Sequence, residues 1–270
     1  MMDFLYSIPA VVLLFGTLVL VVGFACLGQL YIRRHCDSQA LIEHNEVGGI
    51  IIAVAGTLYA VVLGFLTVVA WQHFQEAREI VVLESDADID TWHAAVGLPQ
   101  PVRDQVRRDM IAYAKAIIAR EWRLMRRGSF DPGIAMIGMD AIDAVGSFTP
   151  ANVGQSNSQV STMQQLTILH DARQRRIGIN QNGISWFEWL VLLIGGICVI
   201  CFCWLFGLEH ERVQLVMTST VVAIIVCTMV LLFELQYPFR SGVGVGPDAW
   251  QDAIVHIQEM QSAGMVGMKL

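Results

Sequence analysis

Two acid–imidazole pairs are the residues best suited to chemistry near neutral pH: Glu43 with His44, and Glu209 with His210. Imidazoles titrate in the physiological range, and with carboxylates they bind divalent metals. Brought together, the pairs would form a titrating cluster; solvated loop side chains are the commoner alternative. Glu188, Glu234 and Arg240 lie at the edges of apolar segments. There an acid either faces an ion or proton path, or serves as an interfacial anchor, which for Glu234 would pair with Arg240. The acid-rich run Glu76, Glu79, Glu84, Asp86, Asp88, Asp90 is either a cation-binding face or a solvated helix surface paired to nearby arginines. Asp86-x-Asp88-x-Asp90 has the opening spacing of a calcium loop but lacks the downstream Gly and Glu such a loop needs. Cys198-x-x-Cys201-x-Cys203 would spread around a helix and reads as apolar packing. No Ser-His-Asp group, phosphate loop or zinc-protease motif is present, so the expectation is no enzyme, no cofactor and no resident metal.

The elements that must position these residues are mostly membrane spans. The chain is 55% hydrophobic and only 15% charged, with mean hydropathy +0.55; a soluble domain carries about 25% charged residues. The charge is missing from four long stretches, near 8–32, 48–71, 186–208 and 213–235, each of the length a helix needs to cross a bilayer. Trp71, Trp186, Trp189 and Tyr237 fall near their ends, as interfacial aromatics do. The polar stretch 73–185 carries 12 of the 17 Lys and Arg and 13 of the 24 Asp and Glu, which keeps it out of the hydrocarbon. A net charge of −7 without a basic, aromatic-interleaved patch excludes nucleic acid as a partner. The six cysteines suggest no disulfide framework, because none lies in the polar insert.

The predicted fold is an all-α membrane protein: four transmembrane helices in two antiparallel hairpins, with a helical extramembrane insert between them. The expected divisions are hairpin one at 1–72, the insert at 73–185, hairpin two at 186–236, and a C-terminal tail with a short amphipathic segment at 237–270. The two short connections then share one membrane side, bringing Glu43 and His44 together with Glu209 and His210; both termini and the insert take the other. Arg33 and Arg34 place the short connections in the cytoplasm by the positive-inside rule. The insert and termini are then extracytoplasmic, although Arg173, Arg175 and Arg176 argue the other way.

The second span has no break through Gly97, so its helix is expected to run out of the membrane. Its residues Gly49, Ala53, Thr57, Ala60, Gly64, Thr67 and Trp71 recur in steps of three and four, forming one stripe of mostly small side chains. Such a stripe admits a second helix at close range, or lines a narrow path. Pro99 and Pro101 allow a fresh helix from Val102 to Arg127, ended at Gly128; a short helix near 134–145 and another over 155–179 follow.

Several of these segments together resemble the bestrophin-like bacterial membrane family. They are Glu43-His44-Asn45-Glu46-Val47-Gly48-Gly49 leading into Gly56-Thr57-Leu58-Tyr59-Ala60-Val61-Val62-Leu63-Gly64-Phe65, then Trp71 with Phe74, Glu84, Arg173-x-Arg175-Arg176 and Gly207-Leu208-Glu209-His210. Glu234-Leu235-Gln236-Tyr237-Pro238-Phe239-Arg240-Ser241-Gly242 and Gly246-Pro247 complete the pattern. One departure is Gly183-Ile184-Ser185-Trp186, which keeps the family's tryptophan at the third span but lacks its proline. The resemblance implies a homo-oligomeric ion channel in the bacterial inner membrane, anion-conducting by analogy, with the large extramembrane part cytoplasmic. Its partners would be the lipid bilayer, further copies of itself and inorganic ions. Glu84, Glu188, Glu234 and Arg240 are the candidates for gating or ion contact. The rival reading is a membrane-anchored sensor or scaffold whose insert binds a ligand or partner. A proton-coupled transporter using Glu234 or the histidines is the third, and no inverted repeat supports it.

Overall fold

The computed structural model describes residues 5–6, 8–35, 45–207 and 210–262. Among them every regular element is helical and no strand occurs. The helices long and apolar enough to span a membrane are α1 (Ala10–His35), α2 (Asn45–Ala94), α7 (Trp186–Leu205) and α8 (Glu211–Leu235). The others are α3 (Val102–Ala116), the four-residue α4 (Trp122–Met125), α5 (Pro132–Ser147), α6 (Val153–Gln181) and α9 (Asp248–Ser262). At 50 residues, α2 is about 75 Å long, some two and a half times the roughly 30 Å of a bilayer core, so the helix continues well past its apolar half. The chain divides into two compact units.

The first unit comprises Met1–His73, Gly183–Gln236 and Ser241–Val243. Lipid offers no hydrophobic drive for helix association, so close packing and hydrogen bonds must supply it. The α1–α8 seam does this with Ala25, Val222 and Val226 at its centre. Along the same seam Thr218 donates to Gln29 (3.2 Å), and Arg33 donates to the Gln214 side chain (2.7 Å). The Trp204 ring lies over Gly28, where a Cβ would collide with it, and its indole N–H donates to the Ala25 carbonyl (2.9 Å). Between α2 and α7, the Tyr59 ring occupies the space left by Gly195 and Gly196. The Asn45 amide grips the Gly207 backbone, donating to its carbonyl (2.6 Å) and accepting from its N–H (3.2 Å).

The third span, which lacks the proline expected from the resemblance, opens on a side-chain cap. Ser185 accepts from the Glu188 N–H (3.3 Å), and the Glu188 carboxylate accepts from the Ser185 N–H (2.8 Å), which is a capping box. Ser185→Ala is therefore expected to cost about 1 kcal/mol and to fray the first turn of α7. Faster amide exchange over 186–188 in the variant checks this; unchanged exchange would argue against the cap.

The second unit comprises Phe74–Asn182, Tyr237–Arg240 and Gly244–Leu270. Its core gathers Ile80, Val81 and Ala87 of α2, Val106, Met110 and Tyr113 of α3, Ile134 and Ala141 of α5, Leu166 and Leu169 of α6, and Trp250 and Ile257 of α9. A π turn over Ile117–Glu121 joins α3 to α4. That helical run ends in a Schellman motif: Gly128 donates to Met125 O (2.9 Å) and Ser129 to Leu124 O (3.0 Å). Gly128 has φ +70°, and the Arg240 guanidinium lies against it, so conformation and space both require glycine there.

Candidate functional site

The second unit buries charge. From α2 the positions Ala77, Ile80, Val81, Glu84, Asp88, Thr91 and Trp92 are buried on one face, while Glu76, Glu79, Asp86 and Asp90 are exposed. Those four are on the surface, as the solvated-face reading expects; the pairing to the insert's arginines is made instead by the buried Glu84. Glu84 and Asp88 are fully buried.

Glu84 is held from two helices. The Arg176 guanidinium of α6 meets it through both Nε and Nη2, the latter at 3.0 Å. The Tyr113 hydroxyl of α3 donates to the same carboxylate (2.8 Å). Arg176 also lies 3.8 Å from Glu121, and Arg173 donates to Glu121 (2.9 Å) and to the Asp131 carbonyl (2.9 Å). Two carboxylates and two guanidiniums are therefore enclosed together and balance. Burial alone would weaken the Arg176 charge, but Glu84 and then Glu121 hold the guanidinium more firmly protonated than a free arginine. The Tyr113 phenol is pushed well up by burial and by Glu84, which keeps it a donor.

Near this quartet, Asp88 has no hydrogen-bond partner on either oxygen among the described residues, and the indole N–H groups of Trp92 and Trp250 are also unpaired. Trp250 packs on Tyr113 with centroids 5.7 Å apart, and Arg107 covers Trp92 at 4.0 Å. Burial of Glu84 and Asp88 departs from the solvated face the sequence suggests, whereas pairing to an insert arginine is met at Glu84. The signal for the burial was present, because Glu84 and Asp88 share the α2 face of Ala77, Ile80 and Val81.

The remaining candidates separate. Glu234 accepts from the Ser241 hydroxyl (2.5 Å), within the first unit. Glu188 is occupied in the α7 cap. Arg240, within the second unit, donates to the Asn180 carbonyl (2.6 Å) and lies 4.1 Å from the Tyr237 ring. Glu43, His44 and Glu209 lie outside the described residues, while His210 is the residue before α8. On the α2 stripe, Ala53, Thr57, Ala60 and Gly64 are exposed, Gly49 and Thr67 half-buried, and Trp71 exposed. The packing of α2 within this chain instead uses Tyr59, Leu63 and Ala70. Among the described residues no three His, Cys, Asp or Glu side chains are grouped to hold a metal.

The family model for the bestrophin-like domain matches residues 19–250. The chain belongs to the bestrophin-like family. Solved structures of a bacterial bestrophin homologue from Klebsiella pneumoniae share its fold. One single-substitution variant superposes with TM-score 0.69 at 14% identity, covering 91% of this chain and 99% of that one. A second variant gives 0.65 at 15% identity, covering 89% and 98%. A further structure of the homologue gives 0.62 at 16% identity, covering 92% and 99%. No curated protein matches the sequence. For this bestrophin-like chain the matched span takes in the α2 stripe and the whole buried quartet.

Proposed function

We propose that the chain assembles with copies of itself into an ion-conducting pore in the bacterial inner membrane, with the Thr57–Gly64 face of α2 lining or flanking the path. The observation that carries this reading is the exposure of that face. Of the four spans, α2 is the least covered by its own chain, and the small stripe makes no packing contact in the first unit at Gly64. The Thr57 hydroxyl back-bonds to the Ala53 carbonyl (2.7 Å) and the Thr67 hydroxyl to Leu63 (2.8 Å), so the face bears no unsatisfied polar atom from either threonine. Family membership supplies the analogy to a channel, with an anion as the permeant species. The spans would form the two antiparallel hairpins, and the polar half of α2 would carry the pore's helices into the insert.

Within about 15–20 residues of the span ends, where positive charge governs topology, Arg78, Arg173, Arg175, Arg176 and Arg240 stand on the insert side and Arg33, Arg34 and Arg212 on the other. Together with the family analogy this count supports a cytoplasmic insert, whereas Arg33 and Arg34 alone favour an extracytoplasmic one. Labelling of single cysteines introduced at exposed Asp140 or at Glu211, in intact cells, tests the assignment.

Purified protein in planar bilayers should conduct above background in at least one common salt, and Gly64→Trp should abolish that current while the oligomer persists. Wild-type protein that stays silent across salts and pH values, or a Gly64→Trp current equal to wild type, would count against a pore on this face. The sensor reading finds its support in a groove of about 520 Å³ between α2 and α9, lined by Asp86, Ile89, Asp252, His256 and Glu259.

A further inference from the structure

The buried quartet described above balances without Asp88. Glu84 and Glu121 contribute two negative charges, Arg173 and Arg176 two positive ones, and each carboxylate is engaged by a guanidinium. Asp88 lies one helical turn beyond Glu84 on the same face of α2, is 0% exposed, and receives no hydrogen bond on either oxygen from any described residue. Its neighbours on α2 do not solvate it: the Ser85 hydroxyl donates to Val82 O (2.9 Å) and the Thr91 hydroxyl to Ala87 O (2.7 Å). Among the described residues, the other buried titratable and charged side chains of this core are Arg107 and Tyr113 on α3, Glu121 on the π turn, and Arg173 and Arg176 on α6, and Asp109 on α3 also buries one oxygen without a partner. Arg107 donates to the Trp92 carbonyl (3.2 Å), Tyr113 to Glu84, and the two α6 arginines to the quartet. On α9, Asp252, His256 and Glu259 line the outer groove with Asp86, and Trp250 enters the core as an apolar ring. A further negative charge here receives no hydrogen bond from the quartet, whose charges already cancel, nor from Arg107, whose Nε is turned to the Trp92 carbonyl, an arrangement that proteins avoid by neutralising the group.

We propose that Asp88 is a proton-binding site of the insert, occupied by a proton at neutral pH, and that its deprotonation sets it in competition with Glu84 for Arg176 and loosens the insert core. The inference is independent of ion conduction. Burial first, and the Glu84 carboxylate second, displace Asp88 well above the ordinary carboxylate range, in agreement with this geometry. A carboxyl that binds its proton more tightly folded than unfolded leaves the folded chain with the extra proton once pH exceeds about 4, the ordinary aspartate value. Stability is therefore greatest at acid pH, as far as this group is concerned, and falls as pH rises toward the folded-state pKa of Asp88. Asparagine has the shape of the protonated acid and cannot ionise, so Asp88→Asn removes the pH response without removing the packing.

Infrared difference spectroscopy on the full-length protein in nanodiscs tests the protonation directly. At pH 7 a protonated-carboxyl stretch should be present, should shift when the protein is grown with carboxyl-labelled aspartate, and should vanish in Asp88→Asn. The aspartate label separates it from Glu121, which burial also displaces upward against the pull of its arginines. The thermal midpoint of the wild type should fall between pH 5 and pH 9 while that of Asp88→Asn falls less. A wild-type spectrum at pH 7 with no label-sensitive protonated carboxyl would overturn the proposal, and this reading needs no variant to fold. A pH response in Asp88→Asn equal to that of wild type would also overturn it.

Discussion

Arg176→Met should destabilise the insert by about 3–5 kcal/mol, because it leaves the Glu84 carboxylate in the core with only the Tyr113 hydroxyl for company. Methionine keeps the apolar stem of the arginine but not the guanidinium, so the loss combines the lost charge and hydrogen bonds with the space the head group filled. Glu121 loses less, since Arg173 still reaches it at 2.9 Å. Arg176→Met combined with Glu84→Leu should recover much of the loss, removing both buried charges and leaving one orphaned phenol at a cost of about 1–3 kcal/mol. The measurement is denaturant unfolding followed by the fluorescence of Trp92, Trp122 and Trp250, all buried in this unit. Equal destabilisation by the single and double variants would show that the residues matter by volume and not as an ion pair.

Gly195→Leu should be comparably damaging in the first unit. Even a Cβ at position 195 would fall on the Tyr59 ring, well inside van der Waals contact, and that ring is also tied by its hydroxyl to the Met229 sulfur at 3.9 Å. The ring must leave, and α2 loses its seat on α7. Overpacking of this kind costs about 1–3 kcal/mol for an added methyl group or two, and more for a larger side chain. Tyr59→Ala in the same chain makes room and should restore much of the thermal midpoint in detergent. If Gly195→Leu alone leaves the midpoint unchanged, the packing of α2 on α7 does not depend on that glycine.

The membrane part of the fold was legible because its signal is local. A run of apolar residues of spanning length needs no partner to be recognised, and α1, α7 and α8 begin and end within a few residues of the stretches read from the sequence. The passage of α2 out of the apolar zone was legible for the same reason: nothing between His73 and Ala94 breaks a helix. The buried quartet was not. Glu84 was singled out by the family pattern, but Arg176 lies 92 positions away and Arg173 and Glu121 are 52 apart. No spacing rule reaches that far. Asp86, Asp88 and Asp90 look alike in a row, yet the helix turns the middle one inward and the flanking two out. The capping box at Ser185 and Glu188 has the local pattern S-x-x-E and starts α7 without a proline. Where the sequence offered loop histidines as a cluster, only His210 falls among the described residues.

The uncovered stripe of α2 is the face a pore between copies would use, and oligomeric state tests that role most directly. Single-particle imaging of the nanodisc-purified protein is predicted to show a closed ring with a continuous axial passage, Thr57 and Gly64 facing or flanking the axis. A monomer, or a dimer in which that stripe is buried between packed helices, would contradict it.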